Sequence, residues 1–215
     1  MPFLFMIFGY LIIYIIGAPV INFASSAVEL ILLSDAPDFE SEKNNLFAEA
    51  EQTEKEQSIN SEGKLASSTL IYPDGGDQFG KVIIDKVGIN EPLFYGDSED
   101  ILSLGAGQYI GSMIPGDIGT TLIGGHNAPS FGKIYYLEPG DSISISTHYG
   151  DYTYQVTEKK IAHYTDPVIK ERLGDKTKHS LILYTCYPLD AIGLTPERVF
   201  VFADYVSGPL IDGDV

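Results

Sequence analysis

"LILYTCYPLDAIGLTPERVFVF", residues 181–202, sets two apolar runs on either side of an eleven-residue loop, Tyr187 to Glu197. Leu181-Ile182-Leu183-Tyr184 is short, continuous and apolar, the pattern of a core strand. "RVFVF" reads as a second strand and opens with Arg198, one of only two arginines in the chain. The single cysteine, Cys186, stands at the exit of the first strand. Upstream the same texture continues. "KVIID" and "INEPLF" straddle a Val87-Gly88 turn, "TTLIGG" is a β-branched run, and "SISIS" and "YTYQVTEKKIAHYT" flank a turn at His148-Tyr149-Gly150. Ile143/Ile145 and Tyr152/Tyr154/Val156 alternate with polar neighbours, which puts one face in and one face out. About eight strands fit into residues 70–215, and closing them into a barrel removes vulnerable edges. Helices are minor: Ser98 is a candidate N-cap with Gly105 as stop, and Asp166-Pro167 opens a second helix that Gly174 ends. The expected fold class is all-β, a closed eight-stranded β-barrel with short helices.

Two further segments precede the barrel. Phe3 to Ile21 are nineteen residues without a charge, enough as a helix to cross roughly 28 Å and so to span a bilayer. Residues 1–33 are expected to form an N-terminal transmembrane anchor, the apolar run being longer than the h-region of a cleaved signal peptide. The acidic downstream side favours an extracytoplasmic barrel. Residues 34–69 hold nine acidic residues against three lysines and few large apolar side chains, the composition of a stalk. Within it "NLFAEAEQTEKEQ" has a helical alternative that lays Leu46 and Phe47 on a neighbour, a solvated linker being the simpler reading. The formal net charge of −17 argues against nucleic acid as a partner, because phosphate binding needs clustered Lys and Arg. One cysteine makes no internal disulfide.

A nucleophilic thiol needs a proton-transfer partner and positive charge near the developing oxyanion. Of the four histidines, His148 lies in a hairpin turn, His163 within a strand pattern and His179 beside two lysines, and each reads as a surface residue. His126 differs. It follows "TTLIGG", so it too leaves a strand end, after two glycines that let another backbone or a substrate approach. Arg198 taken alone reads as a salt bridge at a barrel rim. HExxH and CxxC patterns are absent, and the acidic residues are scattered, so no metal or other cofactor is implied.

Taken together, "TTLIGGHN" (His126), "ILYTC" (Cys186) and "TPERVFVFA" (Arg198) resemble the sortase family of bacterial cysteine transpeptidases. Sixty residues separate His126 from Cys186 and twelve separate Cys186 from Arg198, spacings that fit the family's strand order. The resemblance runs from about Thr69 to Pro209 and implies the sortase-type barrel. It also implies that Cys186 attacks the Thr carbonyl of an LPxTG-like sorting motif, that His126 moves protons to and from the amines, and that Arg198 holds carbonyls or the oxyanion. The implied partners are surface proteins bearing the sorting signal and an amino group of a peptidoglycan precursor or of another protein, at the cell membrane.

Departures narrow the subclass. The family's T-L-x-T-C reads Ile182-Leu183-Tyr184-Thr185-Cys186 here, and the loop "YPLDAIGLTPE" looks like that of class D and class A-like members. Tyr187, Pro188 and Leu189 either line a groove or pack on the barrel. No Asp-Pro-aromatic lid motif precedes the barrel, so protein anchoring leads over pilin polymerisation. A papain-like hydrolase places its thiol at a helix start, not at the end of a late strand. A non-catalytic membrane-tethered binding barrel is the remaining alternative.

Overall fold

The computed structural model describes residues 44–52, 64–128, 131–191 and 195–212. In chain order its elements are α1 (Leu46–Gln52), β1 (Leu65–Ala66), β2 (Gln78–Ile84), β3 (Ile89–Tyr95), α2 (Glu99–Leu102), β4 (Ala106–Gln108), β5 (Gly119–Gly124), β6 (Ser142–Thr147), β7 (Asp151–His163), α3 (Pro167–Gly174), β8 (His179–Tyr187), β9 (Glu197–Ser207) and β10 (Ile211–Asp212). Eight of the strands close into a barrel in the order β2-β3-β4-β5-β8-β9-β7-β6. The expected barrel is therefore present. β1 and β10 form a separate parallel pair.

Turn chemistry sets the hairpins. Gly88 between β2 and β3 has φ +62, the left-handed region that glycine enters without penalty. Asp166 caps α3 by accepting the Val168 N–H at 2.9 Å, with Pro167 in the first turn. Ser98 does lead into α2, but its hydroxyl bonds Asp100 and caps no backbone N–H. That helix stops at Leu102, before Gly105, where an added Cβ would strike Pro92. β4 went unread in the sequence because its three residues, Ala-Gly-Gln, carry no β-branched or aromatic signal.

Strand alternation sorts the side chains into two clusters. Phe79, Val82, Ile123, Ile145, Leu183 and Val201 belong to the barrel interior. Ile182, Phe200 and Phe202 point the other way and pack with Ile169 of α3 and Ala162 of β7. Position 182, where the family pattern has Thr, is thus packed in this outer cluster. α3 is fastened over this outer sheet face by the Arg172 guanidinium, which stacks 3.9 Å above the Phe202 ring and pairs with Glu158.

The anchor expected over residues 1–33 lies outside the described residues, as does much of the stalk expected over 34–69. Among the described residues no helix is long and apolar enough to cross a membrane. Of the two readings of "NLFAEAEQTEKEQ", the helix is the one formed, as α1. Charge count alone favours a linker, yet Phe47 is buried beside β2 and the Asn45 side chain accepts the Ala48 N–H at 2.9 Å, closing the helix start.

Candidate active site

β5, β8 and β9 are consecutive around the barrel, and their register places the three predicted residues. β8 and β9 run antiparallel with Cys186 directly opposite Arg198. β5 and β8 run parallel, and their last pair is Gly124 with Tyr184. The two chains stay together past that pair: the Gly125 N–H donates to Tyr184 O at 3.2 Å, and the buried Thr185 hydroxyl donates to Gly125 O at 2.8 Å. Two residues beyond the last pair on each strand are His126 and Cys186. Neighbouring strands are about 4.8 Å apart, so His126 and Arg198 flank Cys186 one strand away on either side.

Parity puts Cys186 and Arg198 on one face. Leu181 and Leu183 of β8 and Val199 and Val201 of β9 fill the barrel, whereas Ile182, Phe200 and Phe202 belong to the outer cluster. Counting by twos, Cys186 and Arg198 share the outer face with Leu122 of β5, and His126 follows two residues past the end of β5. Each of the three is half-buried, Cys186 and Arg198 within strands and His126 just past the end of β5. Arg198 donates through Nη1 to the carbonyls of Thr195 and Glu197 and to the Thr195 hydroxyl, and its guanidinium lies 6.0 Å from the Tyr164 ring. Among the described residues the hydrogen bonds of Arg198 all use Nη1, so Nε and Nη2 keep donors for another acceptor.

The remaining histidines have structural posts. His148 sits against the carbonyls of Ile71 and Phe79, at 2.8 and 3.3 Å. His179 bonds Asp117 O at 2.7 Å, and His163 pairs with Thr165. His148 and His179 are half-buried instead of simply solvated.

Gly124 and Gly125 serve a different end from the one expected. A Cβ on Gly124 would lie 2.3 Å from the Tyr184 ring, and one on Gly125 would lie 2.4 Å from Phe131. The space is filled by the protein's own aromatics. Tyr184 crosses Gly124 and donates its hydroxyl to Asp97 Oδ2 at 3.1 Å. Burial, followed by the Asp97 carboxylate, pushes that phenol well above its ordinary pKa, with Arg198 opposing in part. Gly124→Ala is therefore expected to destabilise by about 1–3 kcal/mol through overpacking. In a Tyr184→Val background the penalty should shrink, and a thermal-melt double-mutant cycle measures that coupling.

Two contacts escaped the sequence reading. The Asn127 Nδ2 donates to the carbonyls of Leu189 and Ala191 at 2.8 and 3.3 Å, tying the loop after Cys186 to the turn after His126. An amide side chain directly after the histidine was the available signal. Tyr187 and Leu189 pack against the main core, Tyr187 stacking on Tyr135 at 6.1 Å, so these two take the packing role, and Pro188 is exposed.

Comparison with known proteins agrees with this architecture. The Sortase domain family matches residues 82–206. Sortase D of Bacillus subtilis (strain 168) is 30% identical over 148 residues, covering 69% of this chain and 74% of that protein. Sortase C from Clostridium perfringens SM101 is similar in structure, with TM-score 0.55 and 29% identity over 63% of this chain and 73% of that one. A Clostridium perfringens sortase D5 transpeptidase shares the fold at TM-score 0.57 and 22% identity, covering 75% and 99%. A barrel of this kind carrying a strand-borne thiol is a cysteine transpeptidase. More narrowly, this chain belongs to the sortase family.

Proposed function

We propose that this sortase is a membrane-anchored enzyme that cleaves an LPxTG-like sorting motif between Thr and Gly and transfers the acyl group to a cell-wall precursor amine. The single observation that supports the site is the register of β5, β8 and β9: Cys186 pairs with Arg198, and His126 and Cys186 each lie two residues past the last β5–β8 pair. Cys186 Sγ attacks the Thr carbonyl carbon, forming a tetrahedral oxyanion that collapses to a thioester as the C–N bond breaks. His126 gives a proton to the leaving amine and takes one from the incoming amine. Arg198 faces the developing oxyanion with a charge that never deprotonates. The substrate class is supported by a structural neighbour, Clostridium perfringens sortase C with the C-terminal cell wall sorting motif, 29% identical to this chain. In this reading residues 1–33 tether the barrel to the cell membrane on its outer side and the acidic segment spaces it from the bilayer.

The test is incubation of the full-length chain in detergent with LPxTG-like peptides, with and without an amine acceptor, followed by mass spectrometry. A thioester adduct on Cys186 and an amine-dependent ligated product are expected. Release of the free acid alone, unaffected by amine, identifies a hydrolase instead. A folded chain giving neither adduct nor product across a broad panel overturns the motif assignment.

A further inference from the structure

The segment Asn44–Gln52 falls within the acidic stretch preceding the barrel, yet it is bonded into the barrel wall. Gln78 at the start of β2 donates its N–H to Asn44 O at 3.0 Å, Asn45 forms a parallel bridge to Gln78, and the Asn45 Nδ2 donates to Gln78 Oε1 at 3.0 Å. Phe47 is 6% exposed, with the Lys81 ammonium 4.5 Å from its ring centroid. These contacts converge on Asp77, which is 4% exposed. Its Oδ1 accepts the Asn44 N–H at 3.0 Å and its Oδ2 the Asp74 N–H at 2.9 Å. A buried carboxylate depends on such bonds, and losing one costs more than an exposed bond would.

From Asp77 the contacts lead toward the Cys186 strand. Asp77 O accepts the Tyr95 N–H at 2.9 Å, and Gly76 donates back to Tyr95 O at 2.7 Å. β3 ends there. Gly96 follows with φ +123 and donates to Gln108 O at 2.8 Å. A side chain at that glycine would strike Ile101, so the close-packed corner requires glycine. The next residue, Asp97, receives the Tyr184 hydroxyl, and Tyr184 lies two residues before Cys186 on the same face of β8.

We infer that Asn44–Gln52 is a clamp that positions the Asp97 rim beside the catalytic strand, acting through Asp77 and Tyr95. It works by bracing, not by covering. β2, on which the clamp sits, is four strands from β8 in either direction around the ring of eight, so the helix lies over the opposite wall and leaves the Cys186 face open. The effect on peptide kinetics rests on the function proposed above, whereas the bracing itself does not.

Hydrogen exchange on the full-length chain separates the two. In Phe47→Ala the amides of Tyr95 and Gly96, as well as those of Asn44 and Asp77, are expected to exchange at least about tenfold faster than in the parent chain. KM for an LPxTG-like peptide should rise about fivefold with kcat little changed, as for lost ground-state positioning. Phe47→Leu, which keeps the apolar plug, should restore both. Asn45→Ala, which removes the Gln78 bond and the helix cap, should give the same pattern more weakly, and it decides the matter if Phe47→Ala opens the whole barrel. Faster exchange confined to residues 44–48, with Tyr95 and Gly96 unchanged, overturns the clamp. A parent chain that turns over no peptide while its Phe47→Ala variant still loosens Tyr95 and Gly96 overturns the proposed function and upholds the clamp.

Discussion

Cys186→Ala is expected to lower peptide turnover by at least about 10⁴-fold, because removal of the attacking atom leaves no alternative route to an acyl-enzyme. Among the described residues it is the sole thiol, and sequence shows no other cysteine to take its place. The barrel should survive the change. Cys186 is half-buried at the end of β8 and belongs to neither apolar cluster, so its loss opens no sizeable core cavity. Its strand is held independently by pairing to β5 and β9 and by the Thr185 hydroxyl on Gly125. Circular dichroism and the melting temperature should match those of the parent chain, while the peptide-adduct mass disappears. Cys186→Ser is expected to be nearly as inactive, since a hydroxyl at its ordinary pKa supplies far less anion than a thiol. Turnover retained in Cys186→Ala would sink the mechanism.

The barrel was legible because its long strands speak in period two. Ile143/Ile145 and Tyr152/Tyr154/Val156 announce a buried face, and all five are buried. The candidate site was legible through residue order: a histidine, a cysteine and an arginine each stand at a strand boundary, and register sets Cys186 opposite Arg198. What the sequence hid is carried by groups with no periodicity. β4 has three small or polar residues, and its pairing depends on the closed ring around it. The glycines before His126 read as room for a visitor, because a sequence does not reveal that Tyr184, sixty residues later, folds back over Gly124. Asp77 was one acidic residue among many until the structure set it beneath the Asn44 and Asp74 amides. Composition weighs charge, whereas burial is decided by partners.

Arg198→Lys carries the second large effect, a fall in kcat of about 10²–10³-fold, or about 2.7–4 kcal/mol, the worth of one oxyanion donor. The charge is kept in this variant, so the loss measures geometry. In the parent chain Nη1 is spent on the Thr195 and Glu197 carbonyls, which fixes the guanidinium plane of the residue that pairs with Cys186 across the β8–β9 ladder and leaves donors on Nε and Nη2. A lysine ammonium is a single flexible centre. Where it bonds those carbonyls it no longer reaches the thioester-forming carbon's oxygen, and where it reaches that oxygen it loses its anchor. Arg198→Ala should be worse than Lys by no more than about tenfold, the residual charge being poorly placed. The split between constants decides the role. Stabilisation of an oxyanion that exists only in the transition state lowers kcat and leaves KM nearly unchanged. If instead KM rises while kcat holds, Arg198 grips the resting peptide, and the oxyanion must be met by another donor at the end of β5 or β8.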